Sequence, residues 1–177
     1  MIFSRAGLSR TIYDEGGLAG VQMQASRRIG GEAVLATAVQ YAALPYRVTD
    51  GVEVLLLTSR ETGRWVLPKG WPIAGKSPRA SARQEALEEA GVVGRVCKAP
   101  IGAFHYDKRL EGGGLVTCKV VVYPLEVTHQ RKHWPEQGQR TIGWFAPGDA
   151  ALAVLEPELA ILLHAFTPPR GAEADKR

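Results

Sequence analysis

The chain has 177 residues, which is the size of one ordinary domain or at most two small ones. Hydrophobic residues make up 45% and charged residues 23% of it, so a disordered chain is excluded, and no run approaches the roughly 20 apolar residues of a membrane helix. The 22 Lys and Arg residues against 18 Asp and Glu residues give a net charge of +4, which is compatible with an anionic partner.

The basic residues are spread along the chain and form no stripe with interleaved aromatic side chains, so we do not expect nucleic acid to be the main ligand. The two cysteines, Cys97 and Cys118, lie in separate apolar runs without a CxxC spacing and are predicted to be buried thiols. The N-terminal segment has arginines where a secretion signal would have an apolar run. We therefore expect a cytoplasmic protein with no membrane association.

The apolar pattern divides the chain into three parts. The first thirty residues are glycine-rich without a sustained period, residues 31–166 alternate short apolar runs with turns, and residues 167–177 carry paired prolines and mixed charge. We therefore expect an irregular arm over 1–30, one folded domain over 31–166 and a loose tail over 167–177.

Short β-branched runs bounded by Gly and Pro predict the strands of that domain, over 33–43, 52–59, 65–67, 92–106 with a break near Pro100, 115–127 and 141–145. A turn around Asp50-Gly51 would join the first two. Helical patterns predict helices over 78–90, 147–155 and 157–166. Because strands lie on both sides of the central helix along the chain, we predict an α+β fold in which helices flank a mixed sheet.

The central helix has clear start and stop signals. Ser77 is a good N-cap, Pro78 follows it at the first helical position, and Gly91 stands where a left-handed C-cap would fall. The sequence between them, PRASARQEALEEA, is rich in alanine and glutamate, which favour a helix. We therefore expect the helix to begin at Pro78 and to end at Ala90.

Three carboxylates of this helix lie on one face. Glu85, Glu88 and Glu89 are three and four residues apart and fall within an arc of roughly 100°. Like charges at these spacings oppose helix formation by a few tenths of a kcal/mol per pair, and no Lys or Arg lies four residues after Glu85 or Glu88 to relieve them. A divalent cation such as Mg²⁺, which takes carboxylate, phosphate and water ligands, would neutralise the cluster.

A solvated acidic face is the plain alternative for such a pattern. The segment before the helix, LPKGWP at residues 67–72, favours a site, because it follows a strand and has a glycine between prolines. Such a loop can direct backbone carbonyls toward a cation beside the helix, while a carboxylate orients or deprotonates a metal-bound water. The sequence therefore predicts a metal-dependent catalytic site where this loop meets the helix.

From residue 70 to residue 92 the sequence GWPIAGKSPRASARQEALEEAGV resembles the signature of the Nudix hydrolases. That signature is a glycine, five residues, a glutamate, seven residues and then Arg-Glu-apolar-x-Glu-Glu-x-Gly-apolar. The matching positions are Gly70, Glu85, Ala86, Glu88, Glu89, Gly91 and Val92. The resemblance implies the αβα sandwich of that family, with a mixed sheet between helices, and the hydrolysis of a diphosphate linked to another group.

Two positions depart from the signature, Lys76 where the first glutamate is expected and Gln84 where the arginine is expected. In the family these two residues are thought to pair and to support the geometry of loop and helix without binding the metal. Losing both charges together leaves no orphaned partner, which is less damaging than losing one. The departures also keep open a second hypothesis, a Nudix-like binding module that holds a phosphorylated ligand without cleaving it.

The resemblance implies a role for each carboxylate. Glu88 and Glu89 resemble the ligands of Mg²⁺, or of Mn²⁺ in its place, and Glu85 resembles a further ligand or the group that handles the attacking water. The backbone carbonyl of Lys69 would complete the inner shell. Members often add a carboxylate from a loop outside the helix, and Glu136 is the candidate here, with a solvated loop charge as the alternative.

The substrate class is also implied by resemblance. The segment RWVLPKG at residues 64–70 and the later Trp-Pro-Glu and Trp-Phe pattern resemble the diphosphoinositol polyphosphate phosphohydrolases, a branch that also acts on diadenosine polyphosphates. A polyphosphorylated small molecule is therefore the expected substrate. The predicted substrate-binding residues, which lie in the signature, next to it or close to Glu136, are Arg64, Lys69, Gly70 and Arg140.

An ADP-ribose or nucleotide-sugar pyrophosphatase is the main alternative within the enzyme class. Such an enzyme usually stacks a base on an aromatic side chain, and Tyr106, Trp71 or Trp134 would serve. The sequence leaves the oligomeric state open, a homodimer included.

Overall fold

The computed structural model describes residues 23–24, 37–109 and 115–169. The predicted arm over residues 1–30 therefore lies outside the described residues, except for residues 23–24, and so does the predicted tail from residue 170 onward. In the described ranges, no helix combines the length and the apolar character needed to cross a membrane.

The described residues form nine strands and three helices. The strands are β1 (Met23–Gln24), β2 (Thr37–Val48), β3 (Val52–Thr58), β4 (Trp65–Val66), β5 (Lys69–Gly70), β6 (Val92–Val96), β7 (Gly102–Arg109), β8 (Leu115–Gln130) and β9 (Ile142–Phe145). The helices are α1 (Pro78–Ala90), α2 (Pro147–Ala153) and α3 (Pro157–His164). Every predicted strand and helix is present, the predicted run 92–106 forms the two strands β6 and β7, and β1 and β5 are additions.

All nine strands belong to one mixed sheet. Its central path runs β4-β3-β2-β8-β6, and the remaining strands pair at its sides, β1 and β5 with β2, β7 with β8 and β9 with β3. β2 and β8 are parallel, from Thr37 beside Thr117 to Tyr46 beside Glu126. The other pairings between the described strands are antiparallel, so the predicted mixed sheet is confirmed.

Helices cover both faces of the sheet, which makes the predicted αβα sandwich. On one face α1 packs alanines against leucines of the strands, and this core contains Ala82, Ala86, Ala90, Leu55, Leu57 and Leu125. On the other face α2 and α3 bury larger side chains, and this core contains Leu44, Leu56, Val120, Leu159 and Leu163. The alanines let α1 lie close to the sheet, so that its polar face reaches the edge of β5.

Two prolines lie inside central strands, Pro45 in β2 and Pro124 in β8. A proline cannot donate a hydrogen bond, so a central strand tolerates it where the ladder is interrupted. Near Pro45 the partner of β2 changes from β5 to β3, and near Pro124 the partner of β8 changes from β7 to β6. The predicted end of the first strand at residue 43 is wrong for this reason, since β2 continues through Pro45 to Val48.

Candidate active site

Helix α1 begins and ends where the sequence predicts, at Pro78 and Ala90. The Ser77 hydroxyl accepts a hydrogen bond from the backbone N–H of Ala80 at 3.4 Å, and Gly91 has a left-handed φ of 69°. A Cβ at Gly91 would come within 2.5 Å of the Trp134 ring, so the glycine also lets Trp134 pack against the end of the helix. These contacts tie the loop after β8 to the helix that carries the three carboxylates.

The Glu85 carboxyl group lies directly against the backbone of β5. A Cβ at Gly70 would fall within 2.6 Å of Glu85 Oε2 and would also overlap the rest of that carboxyl group. Burial, followed by the neighbouring Glu89, Glu88 and Glu136, raises the pKa of Glu85 to about 7, against a lowering by Lys69. The glycine of the signature therefore makes room for a carboxylate whose negative charge is poorly neutralised.

Glu89 is the most deeply buried of the three carboxylates. Its Oε2 accepts a hydrogen bond from the backbone N–H of Lys69 at 3.1 Å, and its Oε1 accepts one from Arg140 Nη2. Burial raises the pKa of Glu89, while Arg140 and Lys69 lower it. Because the Arg140 and Glu89 side chains are only 7% and 10% exposed, the two form a buried ion pair.

Arg140 also brings Glu136 into the same place. Its Nε donates to Glu136 Oε2 at 3.0 Å, and its Nη1 donates to the Thr58 carbonyl at 3.1 Å. The backbone N–H of Glu136 donates to the Glu88 carbonyl at 3.0 Å, which fixes this loop on α1. The loop carboxylate singled out from the sequence thus lies beside the helix carboxylates, and Arg140, a predicted phosphate contact, is held by two of the acidic groups.

Glu88 is held by Gln84, which is itself held by Lys76, and both of these residues depart from the signature. Gln84 Nε2 donates to Glu88 Oε1 at 2.5 Å, and Lys76 Nζ donates to Gln84 Oε1 at 3.0 Å. The helix spacing of four residues between Gln84 and Glu88 is a signal from which the first of these contacts could have been predicted.

As placed, no three His, Cys, Asp or Glu side chains of the described residues surround one point as the ligands of an ion would. The contacts account for this, because Arg140 holds Glu89 and Glu136 while Gln84 holds one oxygen of Glu88. The donor set still suits a hard divalent cation, since it consists of carboxylate oxygens gathered at β5. An ion at this point would take the place of Arg140 as the partner of Glu89.

A second polar cluster lies on the other side of β5. Lys69 Nζ is 5.3 Å and Arg64 Cζ is 5.9 Å from the centre of the Tyr106 ring, and Tyr106 donates to the buried Gln40 at 2.7 Å. Arg64 Nη1 is 3.4 Å from Glu156 Oε1. Burial lowers the pKa of Lys69, while Glu89 and Glu156 raise it.

Glu156, Gln40 and the place of Tyr106 between two cations were not predicted from the sequence. Glu156 Oε2 and Arg64 Nε are buried without a hydrogen-bonding partner, so this cluster has polar groups left over for a ligand or water. These residues come from β2, β7 and the segment between α2 and α3, and no local spacing connects them.

Lys69 and Gly70 are neighbours in β5, and successive residues of a strand face opposite sides of the sheet. The Cβ position of Gly70 faces Glu85, so the Lys69 side chain leaves the other side of the strand. β5 thus separates the acidic cluster from the basic one.

The profile of the NUDIX domain matches residues 39–166 of this chain, which include all the strands and helices from β3 to α3. The chain therefore belongs to the Nudix hydrolase family, and the predicted resemblance is confirmed.

Two curated relatives and one solved structure illustrate the relationship. Nudix hydrolase 17, mitochondrial, of Arabidopsis thaliana is 27% identical over 135 residues, which are 74% of this chain and 72% of that protein. Diphosphoinositol polyphosphate phosphohydrolase 2 of Rattus norvegicus is 31% identical over 112 residues, 62% of this chain and 64% of that protein. Several other Arabidopsis Nudix hydrolases are matched over 48% to 63% of their length.

The solved structure is a binary complex of the Ap4A hydrolase of C. elegans. It superimposes with a TM-score of 0.54 at 21% identity, covering 74% of this chain and 93% of that one. At this identity the likeness shows the Nudix fold alone.

Proposed function

We propose that the protein is a Mg²⁺-dependent hydrolase that cleaves a phosphoanhydride bond in a polyphosphorylated small molecule, such as a diphosphoinositol polyphosphate or a dinucleoside polyphosphate. The observation that carries the proposal is the placement of Glu85 and Glu89 against the backbone of Lys69–Gly70, with Glu136 beside them. Burial and the neighbouring Glu89, Glu88 and Glu136 raise the pKa of Glu85, and a cation bound beside it would favour its ionised form.

In this proposal Glu85, Glu88 and Glu89 hold Mg²⁺ or Mn²⁺, and Glu136 and the Lys69 carbonyl supply further oxygens. The chemistry that such an ion would supply is the neutralisation of phosphoryl oxygens and a lower pKa for a bound water. Because the Glu85 carboxyl group lies against Gly70 beside the other carboxylates, it would act as a further ligand or would receive a proton from the attacking water. If the ion replaced Arg140 as the partner of Glu89, the Arg140 guanidinium would be able to contact a phosphate group of the substrate.

The basic cluster supports a densely anionic substrate. Lys69 and Arg64 bring two positive charges toward the Tyr106 ring and Glu156 brings one negative charge, so the cluster is positive in balance. Lys108 Nζ lies 4.9 Å from the centre of the Trp71 ring and adds a third cation on this side. The 31% identity to the rat diphosphoinositol polyphosphate phosphohydrolase supports the inositol class among such substrates.

A substrate panel tests the proposal. Purified protein is incubated with diphosphoinositol polyphosphates, dinucleoside polyphosphates, ADP-ribose and nucleotide sugars, with Mg²⁺ and with EDTA, and the products are identified. We expect Mg²⁺-dependent release of phosphate or of a nucleotide from the first two classes. Preferred turnover of ADP-ribose would instead support the nucleotide alternative, and intact ligands throughout, despite measurable binding, would support the binding module.

Glu89→Gln tests the contribution of the metal site to catalysis separately from the binding of substrate. The amide removes the charge that faces an ion, so we expect the rate to fall by orders of magnitude with little change in substrate affinity. Near-normal rates in this variant would refute the assignment of Glu89.

A cytoplasmic location, expected from the sequence, stays a prediction that fractionation of cells would test.

A further inference from the structure

We propose that Lys76 and Gln84 form a relay that positions Glu88 for the metal, and that they are a matched replacement for the glutamate–arginine pair of the family signature. The inference rests on the proposed function, since it assigns a task within the proposed metal site. Lys76 and Gln84 are positioning residues in this scheme, and Glu88 is the ligand.

The relay is a chain of two hydrogen bonds. Lys76 Nζ donates to Gln84 Oε1 at 3.0 Å, and Gln84 Nε2 donates to Glu88 Oε1 at 2.5 Å. Lys76 lies in the exposed loop before α1, whereas Gln84 and Glu88 lie half-buried on successive turns of the helix. The chain therefore connects the loop to a carboxylate of the proposed site.

The chemistry of the three side chains sets the direction of the relay. A lysine ammonium has only donors, so it must meet the oxygen of the Gln84 amide. That orientation turns the amide nitrogen, which is a donor, toward the Glu88 carboxylate, which has only acceptors when ionised. Lys76 thus selects one of the two orientations that an amide group has, and the selected one holds Glu88 Oε1 while Oε2 is left for an ion.

The same reasoning shows why the two departures belong together. A carboxylate at position 76 would require the amide nitrogen of Gln84 for itself and would turn the amide oxygen against Glu88. An arginine at position 84 would bring a second cation against Lys76. Each single reversion to the family signature therefore creates a conflict, whereas both reversions together restore an ion pair.

Mn²⁺ affinity, measured by electron paramagnetic resonance or calorimetry without substrate, tests the relay. Gln84→Met removes the donor at similar length, and we expect Mn²⁺ binding to weaken about tenfold, as for other residues that hold a metal ligand. Lys76→Met should weaken binding by a smaller factor, because the amide then samples both orientations. Arg83→Met, which removes an exposed charge from the same helix, is the matched control and should leave the affinity within about twofold.

The reversions give a stricter test, because they separate the relay from simple electrostatics. A new negative charge near the site would by itself strengthen cation binding in any background. The relay instead predicts that Lys76→Glu weakens Mn²⁺ binding in the wild-type background and strengthens it in the Gln84→Arg background. The double variant Lys76→Glu/Gln84→Arg should also recover most of the turnover that either single variant loses.

The outcomes distinguish this inference from the proposed function. If Lys76→Glu strengthens Mn²⁺ binding in both backgrounds, or if Gln84→Met binds Mn²⁺ like the Arg83→Met control, the relay is refuted while the metal site stands. If the wild-type protein binds no Mn²⁺, the metal site of the proposed function fails and the relay fails with it.

Discussion

Gly70 and Gln84, which are not among the proposed metal ligands, set the positions of carboxylates on α1. Gly70 leaves the space in which the Glu85 carboxyl group lies, and Gln84 holds one oxygen of Glu88. The family signature includes the glycine, so the sequence singles out Gly70, but as a substrate-binding residue and not as the space for Glu85. The glutamine could not be assigned a task from the signature, because the signature has an arginine at that position.

Replacing Gly70 tests whether the position of Glu85 matters for turnover. In Gly70→Ala the new methyl group overlaps the end of a flexible side chain, so the Glu85 carboxyl group moves while the fold is kept. A displacement of about 1 Å in a catalytic group costs about 100-fold in rate, and we expect a loss of that order with the thermal midpoint nearly unchanged. Gly51→Ala, where a Cβ meets open space, is the control and should keep full activity. Equal rates in the two variants would contradict the role of this close approach.

Glu85 also predicts a pH dependence of stability in the metal-free protein. Its pKa in the folded protein, about 7, exceeds the ordinary value of 4.5, so the folded state keeps a proton that the unfolded chain has lost between these values. The free energy of unfolding should therefore fall as pH rises from 4.5 to about 7. Glu85→Gln should flatten this fall, as measured by urea unfolding in EDTA at several pH values. An identical pH profile in wild type and variant would show that Glu85 is not the group responsible.

At the level of helices and strands, α1 is the element whose bounds were predictable, because Ser77, Pro78 and Gly91 act through local backbone chemistry. The end of β2 was not predictable in this way. Pro45 ordinarily stops a strand, and its tolerance here depends on a change of partner strand that no local pattern reveals. The place of Trp134 against Gly91 is likewise a long-range contact.

Substitution of Gly91, the C-cap of α1, should destabilise the protein by more than the strain of its left-handed backbone alone. Gly91→Ala strains a left-handed residue and also pushes the Trp134 ring away, whereas Gly138→Ala, at a φ of 81° with open space around it, strains only the backbone. We expect about 1 kcal/mol of destabilisation for Gly138→Ala and 1 to 3 kcal/mol more for Gly91→Ala, by urea unfolding. Equal losses would mean that Trp134 adapts without cost.

For the whole molecule, the Arg140 side chain connects parts that are far apart in the sequence. It contacts Glu89 of α1, Glu136 of the loop after β8 and the carbonyl of Thr58 at the end of β3. The sequence indicated Arg140 as a phosphate contact because it lies near Glu136, but it could not show that Arg140 is paired with Glu89. The burial of the Arg140–Glu89 pair depends on how α1 packs on the sheet, and this packing could not be predicted from the sequence.

Removal of Arg140 should therefore destabilise the metal-free protein strongly. Arg140→Met leaves Glu89 buried without its partner, and breaking such a pair costs about 3 kcal/mol. Arg95→Met breaks the exposed pair with Glu126, whose side chains are 55% and 35% exposed, and should cost less than about 1 kcal/mol. Mg²⁺ should recover part of the loss in Arg140→Met, because the ion then neutralises Glu89. If the two variants unfold at the same urea concentration in EDTA, the Arg140 pair does not stabilise the fold.

The location of a bound ion would show whether the carboxylates of α1 form a metal site. Crystals of the protein soaked in Mn²⁺ would show the ion by its anomalous scattering. We expect a peak in contact with carboxylate oxygens of Glu88 and Glu89, close to Glu85 and the Lys69 carbonyl, with Arg140 moved away from Glu89. A peak elsewhere, or no peak while Arg140 stays on Glu89 at saturating Mn²⁺, would contradict it.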